Sequence, residues 1–229
     1  MIAHKKDFYK GAGLFAGFVA IFAVILTPIF DGMNGLDYLD SLYNSISKGS
    51  AYYIPSLKEK EVKKLEGKNV SVTLELQSPQ QAQETMALFM KGNALVNVSD
   101  ASLKVSGDLG AITANCLEDS DKMFKNDGEY FTAKYGYDAK KVLYNWWVAL
   151  KKMDKELKKQ ELFSEAKLLG SVQKRAVECS YNYYQIKPDK ISDRMGIVLF
   201  SLVFYVIYTV WYGFAVLYMC EGWGLKLGH

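Results

Sequence analysis

The sequence predicts a membrane protein of the α+β class: two transmembrane helices, one near each end, flanking one extracytoplasmic α+β domain with a helical second half. Three observations carry that prediction. Residues 11–30 and 195–220 are apolar throughout and hold no Asp, Glu, Lys, Arg or His. About 20 such residues in a helix cross the hydrocarbon core of a bilayer. Nearly all the charge lies between the two runs, where one strictly alternating segment sits among stretches of helical periodicity.

The chain then divides into a tail (1–10), a first span (11–30), an outer domain (31–194), a second span (195–220) and a short tail (221–229). The first run is long for a signal peptide and is followed by Phe30-Asp31-Gly32 with no small-x-small cleavage site, so it reads as a retained anchor. Lys5, Lys6 and Lys10 beside it favour a cytoplasmic N-terminus. Two spans return the C-terminus to the same side, which places the protein in a plasma or inner membrane with both termini cytoplasmic. Lys187, Lys190 and Arg194, just before the second span, pull the other way.

In the outer domain, Leu36, Leu39, Leu42, Tyr43 and Ile46 recur at helical spacing and predict an amphipathic helix ending at Gly49. It suits a membrane surface or a partner, or it caps the core. Tyr52 and Tyr53 before Pro55 fit the depth of a membrane interface. The Lys/Glu-rich stretch 57–67 reads as a solvated helix face. Val70 to Leu76 alternates as a half-buried strand. Ser78-Pro79 offers an N-cap and a proline at N1 for a helix running to Lys91, stopped by Gly92-Asn93. Residues 94–98 and 101–105 read as two short strands joined by Ser99-Asp100. Gly107-Asp108 opens a helix with Leu109, Ile112, Cys116 and Met123 on one stripe, broken at Asn126-Asp127-Gly128. Asp138 caps a helix whose stripe is Leu143, Trp146, Trp147, Leu150, Met153 and Leu157. Ser164 opens another, with Leu168, Leu169, Val172, Ala176, Cys179 and Tyr183 inward. Pro188 restarts the chain into the second span.

The composition excludes several chemistries. The net charge is +3 and comes mostly from the N-terminal tail, so nucleic acid is not an expected partner. Both of the chain's 2 histidines, His4 and His229, lie in the tails. The outer domain therefore has no histidine base, no Ser-His or Cys-His nucleophile and no histidine-ligated metal. No Cys-x-x-Cys, dinucleotide fingerprint, phosphate-binding loop or EF-hand loop occurs. No catalytic, cofactor-binding or metal residue is assigned, and the chain is not expected to be an enzyme. Cys116 and Cys179 either form a disulfide or stay buried as small apolar thiols; geometry decides. Asn69-Val70-Ser71 and Asn97-Val98-Ser99 match the glycosylation pattern, which is common by chance. The acids Asp100, Asp108, Glu118, Asp119, Asp121 and Glu129 show no pairwise spacing, and they are expected on polar faces as solvated groups.

The candidate site residues lie in the spans. Gly13-x-x-x-Gly17, extended by Ala16 and Ala20, is a small-residue stripe that lets helix backbones approach in lipid. Its partner is the second span or another subunit. Tyr205, Tyr208, Trp211 and Tyr212 fall near the middle of the second run, where their polar atoms need partners. Protein helices supply them, or a lipophilic ligand such as a quinone does. Trp146-Trp147 with Tyr181, Tyr183 and Tyr184 allows a stacking platform, although paired tryptophans on a helix usually split between core and rim. The favoured reading is a non-catalytic accessory or structural subunit of a membrane complex, partnered by other integral subunits or by copies of itself. The alternatives are a ligand-binding or sensory outer domain signalling through a partner, and a membrane-anchored carboxylate enzyme.

Overall fold

A computed structural model describes residues 2–225. The chain is mostly helical, with one small sheet. It divides into two compact units, Met1–Gly49 with Pro188–His229, and Ser50–Lys187.

The first unit is built on two helices, α1 (Lys5–Ile25) and α11 (Ile191–Gly222), each long and apolar enough to cross a membrane. α1 does not coincide with the apolar run 11–30. It starts in the lysine-bearing tail and stops at Ile25. Pro28 is the cause: the residue before a proline is pushed out of the helical region, and Thr27 instead turns its hydroxyl back to the Val24 carbonyl, 2.5 Å away. A tight loop follows, with Asp31 and Gly32 in the left-handed region and Phe30 bridged to Met33. α11 begins before Met195 because nothing between Pro188 and that residue breaks a helix. Lys226 to His229, the end of the tail predicted over 221–229, lie outside the described residues.

The amphipathic helix α2 (Gly35–Ser50) belongs to this unit. Its ties explain why. The Tyr43 hydroxyl and Ser201 Oγ lie 2.7 Å apart, and Asp189 N donates to the Ser45 carbonyl at 3.1 Å.

The second unit opens with α3 (Ile54–Leu57), which continues through a π-helical turn (Lys58–Val62) into α4 (Lys63–Leu65). The charged run 57–67 is thus helical and solvated, but it pins the chain to the core through Ile54, Leu57 and Leu65, all buried. Then come β1 (Asn69–Glu75), α5 (Pro79–Lys91), β2 (Leu95–Ser99), β3 (Ser102–Asp108) and α6 (Leu109–Phe124). The sheet is antiparallel in the order β1-β3-β2, with Val72 opposite Val105 and Leu74 opposite Leu103. Asp100 turns the β2–β3 hairpin at φ +54°, a conformation its short polar side chain tolerates. Asp108 caps α6: its Oδ1 accepts from Gly110 N at 2.6 Å and its Oδ2 from Gly67 N at 2.8 Å.

A short helix absent from the sequence expectations, α7 (Glu129–Tyr135), follows. α8 (Ala139–Lys159) is the central element, capped by Asp138 and packed on β1, α5 and α9 (Phe163–Val172). Leu143, Trp146, Leu150, Met153 and Leu157 recur every three or four residues and are all fully buried. A second π-helical turn (Gln173–Glu178) and α10 (Cys179–Asn182) close the unit. The core runs from Val72, Leu74, Leu103 and Val105 on the sheet to Phe89, Leu117, Phe131 and Trp146 on the helices.

Candidate functional site

In the first unit, α1 and α11 pack against each other. Trp211 Nε1 donates to the Leu14 carbonyl at 3.0 Å, and the Tyr208 hydroxyl donates to the Phe18 carbonyl at 2.8 Å. The Phe18 and Tyr208 rings stack with centroids 4.2 Å apart, and Tyr212 lies 5.1 Å from Phe18. Both donors are therefore used within the chain.

The close approaches are made by Gly11 and Gly222. A Cβ on Gly11 would stand 2.6 Å from Met219 N, and one on Gly222 2.5 Å from Phe8 Cβ. The small-residue stripe divides. Gly17 faces Trp211, at 3.1 Å from a built Cβ, while Gly13 meets nothing within 4 Å and Ala16 and Ala20 are exposed. The Tyr205 and Tyr212 hydroxyls have no hydrogen-bond partner among the described residues; Tyr205 is 66% exposed and Tyr212 46%.

In the second unit, one acid departs from the expected solvated state. Asp119 on α6 is fully buried. Its Oδ1 accepts from Lys134 Nζ at 2.8 Å and the Tyr130 hydroxyl at 3.1 Å. Its Oδ2 accepts from the Tyr135 hydroxyl at 2.6 Å and Trp146 Nε1 at 2.7 Å. Lys134 also donates to Asn115 Oδ1 at 2.7 Å, and Asn115 Nδ2 donates to the Leu88 carbonyl at 3.0 Å. Four donors fill the four lone-pair sites of a carboxylate, so Asp119 has no open position from which to attack a substrate or take a proton. The sequence carried a signal for this burial: Asp119 stands three residues after Cys116 and four before Met123, on the apolar stripe itself.

Burial first, and then the Asp119 charge, push the Tyr130 and Tyr135 hydroxyls well above the usual tyrosine range. Burial also raises Tyr137. A group whose pKa is raised by folding contributes stability that is complete below its unfolded value and is lost as pH rises toward the folded one. Stability of the folded chain is therefore expected to fall as pH climbs above about 10. Urea midpoints measured from about pH 9 to 11 check this, and Asp119→Asn should flatten the fall because it removes the charge acting on Tyr130 and Tyr135. A midpoint that holds steady across that window would contradict the network.

The other acids have local tasks. Asp121 accepts from Tyr52 and Lys125. Burial acts to raise its pKa, but those two hydrogen bonds prevail and lower it. Glu118 lies 3.5 Å from Lys134 and is largely exposed. Cys116 and Cys179 are not joined by a disulfide in the structure. Burial, followed by the Asp119 charge, pushes the Cys116 thiol up, and Cys179 Sγ donates to the Ala51 carbonyl at 3.3 Å. No three His, Cys, Asp or Glu side chains gather as a metal site among the described residues.

The tryptophan pair splits. Trp146 is in the core beside Asp119, whereas Trp147 faces a cleft of about 440 Å³ between α8 and the chain from Val177 to Asn182. Trp147 Nε1 donates to Glu178 Oε1 at 2.7 Å. The sequence hinted at stacking here but could not separate the two tryptophans by role. No family model, curated protein or solved structure matches the chain.

Proposed function

We propose that the chain is a non-catalytic accessory subunit of a membrane complex. α1 and α11 cross the bilayer as a pair, and the unit 50–187 stands outside the cytoplasm and binds protein. The observation that carries this reading is the pair of unpartnered hydroxyls, Tyr205 and Tyr212, midway along α11. A hydroxyl left without a partner in an apolar medium costs roughly 1–3 kcal/mol. A neighbouring helix, from another subunit or a second copy, would supply the acceptor. Gly13, Ala16 and Ala20 offer such a helix a surface of small side chains that α11 does not cover. The missing histidines and the saturated Asp119 support a non-catalytic role and count against the carboxylate-enzyme reading. A second reading, a ligand-binding outer domain, draws support from the cleft at Trp147.

Purification in mild detergent tests the assembly. The wild-type chain is expected to migrate with partner helices, and Ala16→Leu with Tyr212→Phe to shift it toward the lone chain without unfolding the second unit. A wild-type chain that migrates alone refutes the reading. Topology is checked separately in a cysteine-free background. Cysteines at the exposed positions Lys63 and Lys155 should react with an impermeant thiol reagent in intact cells. Reaction only after lysis reverses the orientation.

A further inference from the structure

Three rings and one carboxylate line the cleft on α8. Tyr144 and Trp147 sit one helical turn apart with centroids 6.3 Å apart and planes 22° from parallel, and Tyr181 faces in from α10. Leu143 and Val177 form an apolar floor. Glu178 is half-buried at the end of the second π-helical turn, a kind of turn often found at functional sites. Its Oε1 is held by Trp147 Nε1, which fixes the carboxylate in place. Its Oε2 has no partner, and no cation pairs with it among the described residues.

We propose that this cleft binds a small organic cation, an alkylammonium group. An ammonium there meets the negative faces of the aromatic rings and the uncompensated charge of Glu178 together. A neutral sugar would stack on the same rings but would leave that charge unanswered. The volume of about 440 Å³ lies within the range of small-ligand sites. The Trp147 ring already takes one ammonium within the chain: Lys151 Nζ, on an exposed side chain that does not line the cleft, lies 4.8 Å from its centroid. The site does not depend on whether α1 and α11 cross a membrane, so it stands or falls apart from the accessory-subunit reading.

The test titrates the full chain in a non-ionic detergent with tetramethylammonium and butylammonium by calorimetry, with glucose as the neutral probe. The ammonium ions are expected to bind and glucose not to. Glu178→Gln keeps an oxygen for Trp147 and should weaken ammonium binding about tenfold. Lys151→Met removes a like charge beside the Trp147 ring and should tighten it about two- to threefold. Absence of ammonium binding at millimolar concentration overturns the proposal, as does binding of glucose alone. Unchanged affinity in Glu178→Gln, or weaker ammonium binding in Lys151→Met, overturns it as well.

Discussion

Replacing Gly11 by leucine is expected to force α1 and α11 apart, and combining it with Gly222→Leu should make the separation complete. At both positions even a Cβ would overlap backbone atoms of the facing helix, at 2.6 Å from Met219 N and 2.6 Å from Phe8 Cα. No rotamer change relieves a clash with backbone, so the helices must separate along their shared length. The Trp211 and Tyr208 hydrogen bonds to Leu14 and Phe18 are then lost as well. Overpacking of this kind costs about 1–3 kcal/mol per site, and interhelical hydrogen bonds in lipid add roughly 0.6 kcal/mol each. The melting temperature of the helix pair in mild detergent reads the effect. Gly13→Leu is the control for this contact: nothing lies within 4 Å of its Cβ, so the α1–α11 pair itself should melt as in the wild type even where docking of a neighbouring helix is lost. Equal damage from Gly13→Leu would show that the contact face has been assigned to the wrong side of α1.

Asp119→Ala should destabilise the second unit by about 3–5 kcal/mol. The change strands four donors, and it leaves the Lys134 ammonium, whose side chain is only 15% exposed, without its closest counter-ion. Asp119→Asn keeps the shape but turns an amide NH₂ toward two of the same donors, so it should fall close to the alanine variant. Lys134→Met is expected to be milder, because three donors still hold the carboxylate. Urea unfolding of the three variants gives the order. If Asp119→Asn matched wild-type stability and nevertheless abolished cellular function, Asp119 would be a reacting group and not a structural one.

Local patterns exposed much of this architecture. β1, α5, β3, α6 and α8 lie where alternation, caps and apolar stripes put them, because each buries one face with the period of its own backbone. The span ends were less legible: hydropathy ignores what Pro28 does to the backbone before it. α7 carries only Phe131 as a buried residue, too little for a periodic signal. The Asp119 network was missed for a different reason. Its members come from α6, α7 and α8, and nothing in their spacing reveals that Lys134, Tyr130, Tyr135 and Trp146 converge. What the sequence did offer was an acid on an apolar stripe, which signals burial with a partner. The two-sided character of α1 was equally hidden, since which of Gly11, Gly13 and Gly17 meets α11 depends on helix rotation.

The tie between α1 and α11 also has a consequence for biosynthesis. The paired groups Phe18 and Tyr208, and Leu14 and Trp211, are 190 and 197 residues apart in sequence. At ribosomal speed, the aromatic half of each pair emerges roughly 10–40 s after its acceptor. Unit 50–187 has time to fold in that interval, because its own contacts are complete before α11 exists. Throughout the wait the side of α1 that meets Trp211 and Tyr208 stays without its partner helix. The helix pair is thus the last joint to close, and a ribosome stalled before residue 208 leaves a folded domain on a single unpaired helix.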